Sequence, residues 1–262
     1  MDRNATVFIT GASTGIGKTC ALYLDKIGFH VFAGVRKTID GDALKQESSD
    51  RLQTIIIDVI DTASIQAAVS EVARLTKNQL FGLINNAGIA FGGPLEILPL
   101  EDIKKLLEVN VIGVLAVTKA FLPLLRQSRG RIINMGSSSG LFALPCLSTY
   151  AASKFALEAI TDSLRVELSP FGISVIIIEA GNVKTPIWEK GANATNKIVA
   201  DTRPEMLCLY QPFIEFNKKI ALNSPKLSAG KVAKVVGKIL CARKPKGRYI
   251  IGIDDWHRRS FV

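Results

Sequence analysis

The feature that most narrows what this chain can fold into is an apolar run that empties into a glycine-rich turn and then a helix. Ala5-Thr-Val-Phe-Ile-Thr10 is short and almost continuously apolar, as befits a strand buried on both faces of a parallel sheet. It feeds Gly11-Ala-Ser13-Thr14-Gly15-Ile16-Gly17-Lys18, after which Thr19 to Ile27 has helical periodicity. Glycine removes Cβ atoms, so the turn can be tight and a pyrophosphate can come close to the helix N-terminus. Glycines alone say little; a strand before them and a helix after them supply the context that a dinucleotide site needs. The spacing is G-x-x-x-G-x-G rather than the G-x-G-x-x-G of the usual Rossmann fingerprint.

The same alternation runs down the chain. His30–Val35, Leu52–Ile57, Leu80–Ile84, Arg131–Met135, Ile173–Ile178 and Arg248–Ile253 read as further strands. Asp61–Leu75 (capped by Asp61 or Thr62), Leu100–Arg126, a run opened by Tyr150 and ending near Leu168, and Ser228–Leu240 read as helices. This rhythm predicts one α/β domain over residues 1–262 with a doubly wound, Rossmann-type fold. Its central parallel sheet should have about seven strands, helices on both faces, and the ligand at the carboxyl ends of the strands. Pro186 to Pro225 breaks the rhythm, mixing Trp188, Leu209, Tyr210, Phe213 and Phe216 with charges. A helical substrate lid at about 186–225 is one reading, and a pair of ordinary amphipathic helices is the other.

Composition sets the remaining bounds. With 48% hydrophobic and 21% charged residues, the chain reads as globular rather than disordered. The best membrane candidate, Val111 to Leu125, is too short and contains Lys119. Met1-Asp2-Arg3-Asn4 shows no signal-peptide pattern, so a cytoplasmic location is the expectation. Cys20, Cys146, Cys208 and Cys241 share no C-x-x-C spacing, and His30 and His257 are far apart. Neither a disulfide framework nor a metal site is expected. The net charge of +10 reads as solvated surface, without a nucleic-acid partner.

The chemistry concentrates in Tyr150-Ala-Ala-Ser-Lys154 and in Ser137, Ser138 and Ser139 upstream. Tyr and Lys at i and i+4 share one helix face. A phenol with a pKa near ~10 carries protons poorly at neutral pH, and an ammonium held beside it lowers that pKa into a useful range. Such pairs are also routine helix decoration; the serines and the glycine turn are what give this one weight. At the end of the second strand, Arg36-Lys37 stand where an acid would bind the adenosine ribose. Arginine there accommodates a 2′-phosphate, which favours NADP, with NAD as the alternative.

Thr10-Gly-x-x-x-Gly-x-Gly17 and Tyr150-x-x-x-Lys154 together resemble the short-chain dehydrogenase/reductase family, over nearly the whole chain and in the family's order. The resemblance implies a catalytic set of Asn110, Ser137, Tyr150 and Lys154, Ser137 being the serine thirteen residues before the tyrosine. It places Gly11, Ser13, Thr14, Gly15, Ile16 and Gly17 at the pyrophosphate, and Asp58 and Val59 at the adenine. Asn86, Ala87 and Gly88 would lie beside the cofactor or steady the sheet. Lys154 would hold the nicotinamide ribose next to Tyr150, while Gly181, Val183 and Thr185 would hold the carboxamide. Asn110 would kink its helix and hold a relay water, or be a plain buried asparagine. The runs Val31–Val35, Tyr150–Glu158 and Gly181–Thr185 are similar to the retinol and hydroxysteroid dehydrogenase branch, which implies a bulky hydrophobic alcohol or ketone. A 3-oxoacyl thioester reductase and a non-catalytic NADP-binding sensor are the other readings. Relatives pair through the helices Leu100–Arg126 and Tyr150–Leu168, so a homodimer or homotetramer is expected, with Leu106, Leu107, Val114 and Phe121 offering apolar area.

Overall fold

The computed structural model describes residues 5–223 and 226–252. Seven strands form one sheet: β1 (Thr6–Ile9), β2 (His30–Val35), β3 (Leu52–Ile56), β4 (Gly82–Asn85), β5 (Arg131–Met135), β6 (Ser174–Ala180) and β7 (Arg248–Ile251). Their order is β3-β2-β1-β4-β5-β6-β7 and every pairing is parallel. The helices are α1 (Gly15–Lys26), α2 (Thr38–Lys45), α3 (Thr62–Thr76), α4 (Leu100–Leu107), α5 (Gly113–Ser128), α6 (Ser148–Glu167), α7 (Pro186–Ala200), α8 (Pro204–Asn223) and α9 (Ala229–Cys241).

Strand side chains alternate between faces, and each face has its own core. Val7 and Ile9 pack with Cys20, Leu24, Val236 and Leu240 of α1 and α9. Phe8, Leu83 and Ile132 pack on the other side with Val72, Val117 and Phe121 of α3 and α5. Every residue of β5 is buried, which explains why its sequence is nearly continuous in apolar character. The chain winds outward from β1 through β2 to β3, then crosses back to place β4 on the other side of β1. That reversal opens a crevice at the carboxyl ends of β1 and β4, the place where open α/β sheets bind ligands.

The elements match the sequence pattern more closely than their ends do. Helix α1 starts at Gly15, four residues before the predicted Thr19, because glycine's poor helix propensity hides the first turn. Asp61, rather than Thr62, caps α3: its Oδ1 accepts a hydrogen bond from the Ala63 amide at 2.9 Å. The predicted last strand reached Ile253, which lies outside the described residues, as do Met1–Asn4 and His257.

Two expectations are corrected. Leu106, Val114 and Phe121 are buried inside the chain and offer no surface for a second subunit, because they sit on the helix stripe facing the sheet and its covering helices. Leu100, Leu107, Ile112, Leu115, Phe155 and Val166 are the large apolar residues exposed there. The apolar run judged too short for a bilayer belongs to a continuous helix, Leu100–Ser128, that is long and apolar enough to cross a membrane by length and composition alone. Counting stopped short because Asn110 and the flanking charges interrupt the run in sequence without ending the helix. One stripe of that helix (Val117, Phe121, Leu124 and Leu125) is committed to the core.

Residues 186–223 form α7 and α8. A Cβ added at Gly191 would lie 2.3 Å from the Ala90 carbonyl oxygen, so α7 docks backbone to backbone on the Ala90 loop. Thr195 Oγ1 donates to the Gly92 carbonyl there at 2.7 Å. Helix α8 is tethered by Asn217 Nδ2 donating to the Pro145 carbonyl at 2.7 Å, and by Tyr210 donating to Glu96. It leaves Leu209, Phe213 and Phe216 exposed.

Candidate active site

The turn after β1 is shaped by its glycines. Gly11 and Gly15 have φ of +66° and +59°, a region open mainly to glycine. A Cβ at Gly17 would sit 2.2 Å from the Gly11 carbonyl oxygen and 2.4 Å from Asn86 Nδ2. Asn86 pins this turn: its Nδ2 donates to the carbonyls of Thr10 (2.9 Å) and Gly11 (3.0 Å). Thr10 Oγ1 accepts from the amides of Asn86 and Ala87, both at 3.0 Å. Thr14 caps α1 with no side-chain hydrogen bond, and no acid occupies the first turn. The exposed amides and the positive end of the helix dipole suit an anionic pyrophosphate. A glycine cradle open to a phosphate therefore fits a dinucleotide.

Beside it, Asn85 Nδ2 donates to Thr118 Oγ1 and to Asn134 Oδ1, each at 2.9 Å, and Asn134 Nδ2 donates to Thr161 Oγ1 at 2.8 Å. This buried chain ties β4, β5, α5 and α6 together, which is the sheet-steadying role expected of the Asn85–Gly88 segment. Asn110 lies fully buried in a π turn, Glu108–Ile112, where the Gly113 amide reaches back five residues to the Glu108 carbonyl. Its Oδ1 accepts from the Ile89 amide at 2.9 Å, and its Nδ2 donates to the Ile89 carbonyl (2.9 Å) and to Ser153 Oγ (3.1 Å). Ser153 Oγ in turn donates to the Tyr150 carbonyl at 2.7 Å. A π turn marks the helix at Asn110, and both amide hydrogens serve protein partners.

Past the end of β5, Ser137 is buried, its Oγ accepting from the Ser139 amide at 3.2 Å. Tyr150, one of the first residues of α6, is buried, with Ser137 close enough to act on its phenol. Trp188 meets the phenol ring edge-on, with centroids 6.0 Å apart. Ala90, Phe91, Leu98, Leu106 and Ile198 form the apolar cluster around it. Burial pushes the phenol above its ordinary pKa; the Ser137 hydrogen bond opposes this, and the Glu179 charge adds to it. Lys154 is not among the groups that bring it down. Lys154 Nζ lies 5.8 Å from the ring centroid and donates to the Met135 carbonyl at 2.9 Å. Burial pushes the lysine itself down to about 8, against a pull upwards from Glu179.

That glutamate was missed in the sequence. Glu179, fully buried near the end of β6, accepts the Ser137 amide on its Oε2 at 2.9 Å. Gly136 makes room for it, since a Cβ there would stand 2.6 Å from both carboxyl oxygens. An acid directly after the apolar run Ile173–Ile178 was the available signal.

The other expected residues line the same edge. Thr185 packs over Gly15, 3.3 Å from where a Cβ would be, and so brings the Gly181–Thr185 loop to the glycine turn; Val183 beneath it is buried. Gly88 faces Asn110 Oδ1. Asp58 Oδ1 accepts from the Ile60 amide at 3.3 Å, and Val59 is buried against Gly113. Arg36 and Lys37 are exposed past the end of β2, and their side chains have no hydrogen bond or ion pair among the described residues.

Residues 5–196 match the family model for short chain dehydrogenases. The chain is a short chain dehydrogenase. It is 37% identical over 253 residues to a 3-amino-tetrahydro-pyrrolizinone reductase of Xenorhabdus hominickii, covering 95% of this chain and 87% of that one. It is 36% identical over 262 residues to retinol dehydrogenase 5 of Mus musculus, covering 96% and 81% respectively. A crystal structure of a short-chain dehydrogenase from Streptomyces avermitilis superposes with a TM-score of 0.81 at 27% identity, covering 95% of this chain and 88% of that one. As a short chain dehydrogenase the protein is an oxidoreductase of the NAD(P)-binding fold, acting on CH–OH and carbonyl groups.

Proposed function

We propose that the protein is an NADP(H)-dependent oxidoreductase of a hydrophobic alcohol or ketone, with Tyr150 as the proton carrier. The observation that carries this reading is the buried pairing of Ser137 with Tyr150, walled by apolar side chains, beside Lys154 at the edge where the glycine turn opens. Bound NADP(H) supplies or accepts the hydride at the substrate carbon. Ser137 Oγ orients the substrate oxygen, and Tyr150 Oη gives that oxygen a proton in reduction or takes one in oxidation. A phenol held above its ordinary pKa is protonated at neutral pH and poised to donate; alcohol oxidation should accelerate as pH rises. Lys154 would hold the ribose hydroxyls of the bound nucleotide, and Asn110 fixes the α6 backbone through Ser153.

Ala90, Phe91, Leu98, Ile198 and Trp188 around the phenol favour an apolar substrate, as does the similarity to retinol dehydrogenase 5. The unpaired Arg36 and Lys37 favour the 2′-phosphate of NADP. Helices α7 and α8 act as the lid of a single 262-residue domain. Ile112, Leu115 and Phe155 supply the contact of a dimer. NADPH oxidation with a panel of apolar ketones, aldehydes and acyl thioesters tests the reading. Turnover of apolar ketones or aldehydes is expected; turnover confined to acyl thioesters would replace the substrate class.

A further inference from the structure

One buried pair of acids stands outside these roles. Glu179 on β6 and Glu158, one turn beyond Lys154 on α6, lie close enough to act on each other's charge. Glu179 Oε2 holds the Ser137 amide. Glu158 Oε2 holds Arg248 of β7, which also lies 3.7 Å from Asp162 Oδ2. Taken as carboxylates, Glu158 Oε1 and Glu179 Oε1 are both buried without a donor. A single proton between the two carboxyls satisfies both oxygens, and two adjacent buried carboxylates do not both ionise.

We infer that Glu179 and Glu158 share one proton and act as positioning residues, deciding whether negative charge stands against Lys154 and Tyr150 or out at Arg248. With the proton on Glu179, the charge sits on Glu158 opposite Arg248. Burial first, then Glu158, pushes the Glu179 acid up to about 9. Above that pH its anion stabilises the Lys154 ammonium and disfavours the Tyr150 phenolate. The groups facing the pair are Lys154, Tyr150 and Asp162 of α6, the Ser137 amide after β5, and Arg248 of β7.

The kinetic consequence rests on the proposed function; the shared proton does not. Glu179 is still protonated where Lys154 loses its proton, near pH 8, so Glu179→Gln should leave the alkaline limb of the pH–kcat profile near its wild-type position. Glu158→Gln leaves the charge on Glu179, so the limb should move up by about one pH unit. A merely structural role would not move one limb and spare the other. Infrared difference spectra of the wild-type protein should show a protonated-carboxyl C=O band at pH 7 that titrates away near pH 9 and is absent in Glu179→Gln. A Glu158→Gln limb that coincides with wild type, or a wild-type spectrum without that band, overturns the inference. A wild-type protein without turnover on any substrate refutes the reaction instead and leaves the infrared titration to decide the shared proton.

Discussion

Gly17→Ala probes the dinucleotide cradle at its tightest point. The new methyl would stand 2.2 Å from the Gly11 carbonyl oxygen and 2.4 Å from Asn86 Nδ2. Backbone blocks one side, so Asn86 must swing away and release its bonds to Thr10 and Gly11. Two hydrogen bonds at ~0.5–1.5 kcal/mol each and overpacking at ~1–3 kcal/mol sum to ~2–6 kcal/mol. Alanine's helix propensity returns ~1 kcal/mol. The net loss of ~1–5 kcal/mol corresponds to ~2–4 °C of melting temperature per kcal/mol in a chain of this size. Helix α9 supplies the control: a Cβ at Gly230 meets only Ser228 Oγ, at 3.9 Å, so Gly230→Ala should raise stability by up to ~1 kcal/mol. Thermal unfolding with and without NADP reads both effects, because a bound ligand raises the melting temperature. Gly17→Ala should melt several degrees lower and lose the nucleotide-induced rise. A variant that melts with wild type and keeps that rise would refute the cradle.

Three further outcomes are expected. Comparing kcat/KM for NADPH and NADH should show a roughly ten- to hundredfold NADPH preference (~1.4–2.8 kcal/mol), reversed by Arg36→Asp; equal use by the wild type would make Arg36 a surface residue only. Sedimentation at micromolar concentration should show a dimer or tetramer that Phe155→Asp dissociates, and a monomeric wild type would remove the interface. A carboxyl raised to about 9 in the folded state contributes stability that is complete below its unfolded value of 4.5 and is lost as pH rises towards 9. The melting temperature of Glu179→Gln should therefore gain on wild type between pH 5 and 9, and a constant gap across that range would contradict the shift.

The architecture was legible because a parallel sheet writes itself as short apolar runs such as Arg131–Met135 and Ser174–Ile178, and helices write a different period between them. Tyr150, Lys154 and Ser137 could be singled out because their spacing is local, with Ser137 just after β5 and the other two one turn apart on α6. What could not be read was orientation. Leu106, Val114 and Phe121 look like any apolar helix face, and only packing shows that they point at the sheet. The Lys154 ammonium sits on the same face as Tyr150 as expected, yet its head turns to the Met135 carbonyl, a three-dimensional choice. Glu179 escaped notice because its partners Ser137 and Glu158 lie 42 and 21 residues away in sequence.

The most direct test of the account is turnover by Tyr150→Phe. The substitution removes one hydroxyl from a ring that Trp188, Phe91 and Leu98 hold in place, so folding and NADP binding should stay close to wild type. General acid–base catalysis is worth ~10²–10⁴-fold in rate, and NADPH-dependent reduction of the best ketone or aldehyde should fall at least a hundredfold (~10²) at saturating cofactor. Activity within a few-fold of wild type, in a variant that still binds NADP, would contradict the assignment of Tyr150 as the proton carrier.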